Sequence, residues 1–117
     1  MKVIYSNAKT QKLCEDFKKA TKALGNEVAV KLHDLINAIK DFPRLYDLYV
    51  MPQYRLHALA ANRKGQYSFV IHKGYKWRLI VYPLDEEGRL LSDRSNEREL
   101  LEKSVMVEIV EVSEHYD

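Results

Sequence analysis

Apolar positions in the first third of the chain recur at helical spacing. Leu13, Phe17, Ala20 and Leu24 follow at intervals of four, three and four, which places them on one helical stripe. Ser6 or Asn7 can cap this helix at its start. Gly25 supplies the left-handed position that ends one. Lys12, Lys18, Lys19 and Lys22 cover the polar side. Asn26 opens a second helix, in which Val28, Leu32, Leu35 and Ile39 repeat the spacing and Ile36 widens the stripe. Pro43 ends it, because proline disfavours helical dihedrals in the residue before it. So short a joint predicts an α-hairpin.

The period then changes. Val3-Ile4-Tyr5 is a short apolar run ahead of the helices, suited to an edge strand. Residues 43–54 hold two prolines and mixed periodicity, which predicts a loop with at most one helical turn. Residues 55–59 alternate, residues 62–65 form a turn, and residues 66–72 alternate again, with Tyr67, Phe69 and Ile71 on one face. After the turn at Lys73-Gly74, Trp77, Leu79 and Val81 share a face, with Arg78, Ile80 and Tyr82 opposite; Pro83 is expected to stop the strand. Asn96 and Glu99 form a capping pattern for a short helix through Lys103. Residues 105–112 read as a buried strand. The order β, α, α, β, β, β, α, β predicts an α+β domain over residues 1–117. In it an N-terminal α-hairpin packs on one face of a mainly antiparallel sheet. The opposite face is left for a ligand.

Composition narrows the class. The 117 residues suffice for one domain, and 46% hydrophobic with 31% charged residues is the balance of a globular chain. No apolar run approaches the roughly 20 residues of a membrane helix. The N-terminal segment lacks the pattern of a signal peptide. Cys14 is the only cysteine, so no internal disulfide forms; it sits at the core edge of the first helix. These features point to the cytoplasm. The net charge of +2 hides an asymmetry: residues 1–84 carry fifteen Lys and Arg against six Asp and Glu, and residues 85–117 carry four against eleven. A fold that keeps these parts apart has a positive face that attracts a polyanion.

Candidate chemistry lies in the same basic part. Between residues 55 and 78 stand Arg55, Arg63, Lys64, Lys73, Lys76 and Arg78, with no acidic residue. Tyr67, Phe69, Tyr75 and Trp77 are interleaved, a pattern that suits RNA, since cations meet phosphates and rings stack on bases. The alternation of Phe69 and Trp77 assigns these two to the core. His72 and Arg78 are expected on the opposite face, at the two ends of one hairpin turn. An arginine stabilises charge developing on a phosphate, and a histidine moves protons near neutral pH. His115 joins them if the last strand returns to this face. RNA brings its own nucleophile, the 2′-hydroxyl, so cleavage needs no metal. The sequence shows no metal-ligand spacing, nucleotide loop or serine or cysteine nucleophile.

The chain as a whole resembles the HigB-type toxins of the RelE/ParE superfamily. The residues that carry the likeness are Arg55-Leu56-His57-Ala58-Leu59, Asn62-Arg63-Lys64-Gly65-Gln66-Tyr67-Ser68 and Trp77-Arg78-Leu79-Ile80. They follow the family's RLHxL, RKGQYS and WRLIF series. Residues 108–112 with His115 and Tyr116 resemble its EIVDYH ending. The resemblance implies a RelE-like fold with two helices on a twisted sheet. It implies metal-independent cleavage of messenger RNA on the translating ribosome, with no cofactor. It also implies a helix-turn-helix antitoxin of HigA type, through which alone the toxin reaches operator DNA. Arg78 matches a catalytic arginine of the family, and His57 the histidine of its LH motif. His115 and Tyr116 stand near the family's terminal Tyr-His, in reversed order. Ala60 stands where many relatives carry lysine, and His72 where a relative can carry arginine.

The expected function is therefore a ribosome-dependent endoribonuclease toxin in the bacterial cytoplasm. Its catalytic candidates are Arg78, His57, His72, His115 and Tyr116. Arg55, Arg63, Lys64, Lys73 and Lys76 are expected to hold RNA phosphates. The rival expectations are a ParE-like toxin that inhibits DNA gyrase, and an RNA-binding module without chemistry.

Overall fold

The structure is a computed structural model and describes residues 1–114; His115 and Tyr116 lie outside the described residues. Strand β1 (Lys2–Tyr5) leads into α1 (Ala8–Glu15), α2 (Phe17–Leu24) and α3 (Asn26–Asp41), and then a short α4 (Leu45–Tyr49). Strands β2 (His57–Ala58), β3 (Tyr67–Val70) and β4 (Arg78–Leu84) follow, then α5 (Glu97–Lys103) and β5 (Met106–Ser113). Short 3-10 turns cover Pro52–Tyr54 and Ala61–Arg63. The sheet order is β1-β5-β4-β3-β2. Only β1 and β5 run parallel; the other neighbours are antiparallel. β1 lies at the edge, as its brevity predicts.

All five helices contribute to one core on one face of the sheet. Val28, Leu32, Leu35, Ile36 and Ile39 of α3 pack there with Leu45, Leu48, Leu100 and Leu101. Tyr67, Phe69, Leu79, Val81, Val107 and Ile109 meet them from the strands, and Trp77 packs at the margin. Cys14 is buried in this core, and burial beside Glu15 pushes its thiol up to about 12.

The first helix departs from its expected form. Asp16 takes φ −117 and ψ 100, which breaks it into two. Its N–H still closes α1 on Lys12 O at 2.9 Å, while its carboxylate accepts from Lys19 N at 3.1 Å and caps α2. The break shifts the helical phase. Phe17, expected in the stripe, is 43% exposed and rests edge-on against His33.

Two strands also differ. Pro83 does not stop β4 but pairs with Val107 inside it. Alternation turns the Pro83 backbone to the side of β3, which ends its pairing with β4 at Tyr67. The proline therefore lacks a donor only where no strand would accept one, and its carbonyl accepts from Leu91 N at 2.9 Å. Arg55 was expected in a strand; it adopts φ 45 and ψ 42, and β2 shrinks to two residues.

Candidate nucleic-acid interface

The helix-free face of the sheet is assembled by strand register. Residues directly opposite one another point to the same side. His57 pairs with Ser68, Ser68 with Ile80, and Ile80 with Glu111, so one row crosses four strands. The adjacent row runs from Val70 through Arg78 to Ser113. Strand spacing and rise put His57 and Arg78 about 12 Å apart at their α-carbons.

A β-bulge delivers Glu111 to this face. The pairing of β4 with β5 shifts between Ile80 and Val81, which leaves Val110 as the extra residue. Unbroken alternation from the buried Ile109 would point Glu111 into the core. The bulge turns Glu111 outward and Val112 inward instead. Thr10 Oγ1 and Asn7 Nδ2 both donate to the Val110 carbonyl, at 3.3 and 3.2 Å, so the start of α1 is docked on the bulge.

Across the face lies a strap formed by residues 59–66. Arg63 forms an ion pair with Glu111 and donates to Gln66 Oε1 at 3.0 Å. Gly65, at φ 94, lies nearest Tyr82 on the outer face. Ser68 and Ile80, beneath the line from Arg63 to Glu111, are buried.

The candidate residues fall into three groups. His57 is exposed, and its Nδ1 donates to Arg55 O at 2.8 Å. That bond sets the tautomer and leaves Nε2 as the basic nitrogen of the neutral ring. Arg78 is half-buried; its Nη1 donates to Trp77 O at 3.0 Å and Tyr75 O at 3.2 Å. These carbonyls fix its guanidinium at one end of the face.

His72 belongs to the turn beside Arg78, but its partners lie within that turn and on α3. Its Nδ1 accepts from Gly74 N at 3.0 Å, and its Nε2 stands 3.6 Å from Glu27 of α3. The ring meets Tyr75 edge-on at 4.8 Å, and the Tyr75 hydroxyl donates to the same Glu27 carboxylate at 3.2 Å. That carboxylate raises the Tyr75 hydroxyl above its ordinary pKa, first through the hydrogen bond. A Cβ on Gly74 would meet the His72 ring at 3.2 Å, so glycine is what lets the ring fold back. The expectation that His72 and Arg78 share one open face is thus met only in part: one turn carries both, and α3 holds the histidine.

The cations divide similarly. Arg55, Lys64, Lys73 and Lys76 are exposed, and no ion pair joins them to a described carboxylate. Arg63 is engaged by Glu111. The sequence reading missed Glu111 because strict alternation hides it. The signal was present: Glu108 and Glu111 stand three apart in a strand, an odd interval that puts both outward only across a bulge.

Among the described residues no group of three or more His, Cys, Asp or Glu is gathered as for a metal. No described helix is long and apolar enough to cross a membrane.

Five helices on one face of an open, mostly antiparallel five-stranded sheet define an α+β fold of the RelE/YoeB toxin type. The solved structure of a YoeB/ParE toxin from Agrobacterium tumefaciens is similar over 99% of this chain and 100% of its own, with a TM-score of 0.54 and 14% identity. At that identity the likeness is one of fold. No protein-family model matches the sequence, and no curated protein sequence does.

Proposed function

We propose that the protein is the toxin of a type II toxin–antitoxin system, of HigB type, and an endoribonuclease that cuts messenger RNA on the translating ribosome. The observation that carries this reading is the helix-free face, where His57, Arg78 and the Arg63–Glu111 pair lie in two adjacent rows. Fold alone does not assign function; the reading rests on what this face can do to a phosphodiester.

The reaction uses the 2′-hydroxyl as nucleophile. His57 Nε2 takes its proton, the oxygen attacks phosphorus, and the 5′-oxygen of the next nucleotide leaves with a proton from an acid. Arg78 stabilises the negative charge that grows on the phosphoryl oxygens. The acid is His72, His115 or Tyr116. No step needs a metal or cofactor. Arg55, Lys64, Lys73 and Lys76 hold phosphates on either side, and Arg63 does so when RNA displaces Glu111.

On this reading the partners are messenger RNA, the ribosome and a HigA-like helix-turn-helix antitoxin, with operator DNA reached only through the antitoxin complex. The place of action is the bacterial cytoplasm. A ParE-like gyrase inhibitor is the second reading. Arg63 is neutralised by Glu111, and Ala60 supplies no cation where relatives carry lysine, so the face is less basic than its sequence suggests.

A translation reaction programmed with one messenger separates the two. The first reading predicts new 5′ ends within the coding region that disappear with Arg78→Ala. Intact messenger, with loss of gyrase supercoiling activity in a parallel assay, would establish the second.

A further inference from the structure

Arg78 opens β4, and its guanidinium reaches back over the turn of residues 71–77. Nη1 donates to Trp77 O at 3.0 Å and to Tyr75 O at 3.2 Å. The Trp77 carbonyl is tied to the end of β3, since it also accepts from Ile71 N at 3.4 Å. Tyr75 lies outside the strands. The place of its carbonyl therefore depends on what holds the residue in the turn.

Within the turn, Tyr75 N donates to His72 O at 3.0 Å, and the Tyr75 ring meets the His72 ring edge-on at 4.8 Å. These contacts move with the turn. The Tyr75 hydroxyl reaches out of it, and donates at 3.2 Å to Glu27, 48 residues away in sequence. Glu27 stands in the first turn of α3, next to the buried Val28, so its backbone is anchored by the core. The same carboxylate oxygen lies 3.6 Å from His72 Nε2. Both rings of the turn thus converge on one oxygen of α3. We infer that Glu27 is a positioning residue: by anchoring Tyr75 to α3 it fixes the Tyr75 carbonyl, and with it the guanidinium of Arg78, on the helix-free face. The catalytic consequence rests on the nuclease reading; the anchoring does not. The Glu27 side chain is 68% exposed, and an exposed contact adds little to stability. Its effect is on orientation, where a displacement of about 1 Å is enough to slow a reaction.

The test compares Glu27→Gln, Glu27→Ala and Tyr75→Phe in ribosome-dependent cleavage of one messenger, with NMR relaxation of the Arg78 Nε–H group on the same proteins. Both Glu27 variants lose the negative charge at the start of α3, so its effect on the helix dipole changes equally. Glutamine alone keeps an acceptor for the Tyr75 hydroxyl, while Tyr75→Phe keeps the ring and removes the donor. Glu27→Gln should stay near the wild type. Glu27→Ala and Tyr75→Phe should each lower the maximal cleavage rate roughly threefold to tenfold, with the half-saturating messenger concentration unchanged. Both should loosen the Arg78 Nε–H, and their combination should be no worse than either alone. An Arg78 Nε–H as ordered in Glu27→Ala as in the wild type would overturn the inference. So would equal losses in Glu27→Gln and Glu27→Ala, which would mark an effect of charge. If the wild type cuts no messenger, the nuclease reading fails, and the Arg78 relaxation still decides the anchoring. A loosened Arg78 with undiminished cleavage would overturn the catalytic consequence.

Discussion

Single residues decide several features that no periodicity shows. Tyr67 is fully buried, and its hydroxyl donates to Glu97 at 2.8 Å. Burial first, and then this carboxylate, raise its pKa far above the ordinary 10.0. A raised value means that the folded state favours the protonated form. Its stabilisation is complete below pH 10 and is lost as pH climbs from there towards the folded value. In an alkaline absorbance titration, Tyr67 should ionise only together with unfolding, after the exposed tyrosines. Tyr67→Phe should cost about 1–2 kcal/mol in urea melts, because Glu97 loses its shorter tyrosine partner. Cys14 should resist alkylation at pH 8 until the chain unfolds, since its thiol stays protonated and buried; rapid labelling of the native protein would contradict that placement. Asp16→Ala removes the α2 cap and should cost about 1 kcal/mol.

At the scale of elements, the regular parts were legible and the interruptions were not. The stripe of α3 packs as its spacing predicts, and Asn96 caps α5 through Glu99 N at 3.1 Å. The break at Asp16, the bulge at Val110 and the turn at Arg55 escaped, because each is a local conformation that tertiary contacts select. The bulge needs Asn7 and Thr10 from another element to hold its carbonyl, and a strand reading contains neither. The strap offers a clean test of backbone preference. Gly65 has φ 94, and a Cβ there would find its nearest atom 3.9 Å away on Tyr82. Gly65→Ala should therefore cost roughly 1–2 kcal/mol from conformation alone. Ala61 sits at φ 55, so Ala61→Gly should be neutral or stabilising. Thermal melts should fall for Gly65→Ala and hold or rise for Ala61→Gly; a neutral Gly65→Ala would mean that the strap takes another conformation.

At the scale of the whole molecule the charge asymmetry is partly spatial: Glu111 crosses to Arg63 and Glu102 to Arg44, but the two ends of β4 keep opposite signs. Lys73, Lys76 and Arg78 gather at one end of β4, and Asp85, Glu86 and Glu87 follow its other end, about 20 Å away by strand rise. On the nuclease reading, RNA should therefore approach the Arg78 end. Lys64→Ala and Lys73→Ala should each weaken RNA binding for all sequences and lower the salt slope by about one. The candidate site was legible to the extent that Arg78 leaves the core and stands in an outer row with Val70 and Ser113; that His57 shares this face was not read from the sequence. The engagement of His72 by Glu27, and of Arg63 by Glu111, was not, because those partners come from distant segments. The measurement that tests the central claim most directly is induced expression of the wild type and Arg78→Ala, with RNA 5′ ends mapped in the same cells. New cuts within coding regions for the wild type alone are the predicted result. Growth arrest with intact messages, or equal cutting by Arg78→Ala, would contradict it.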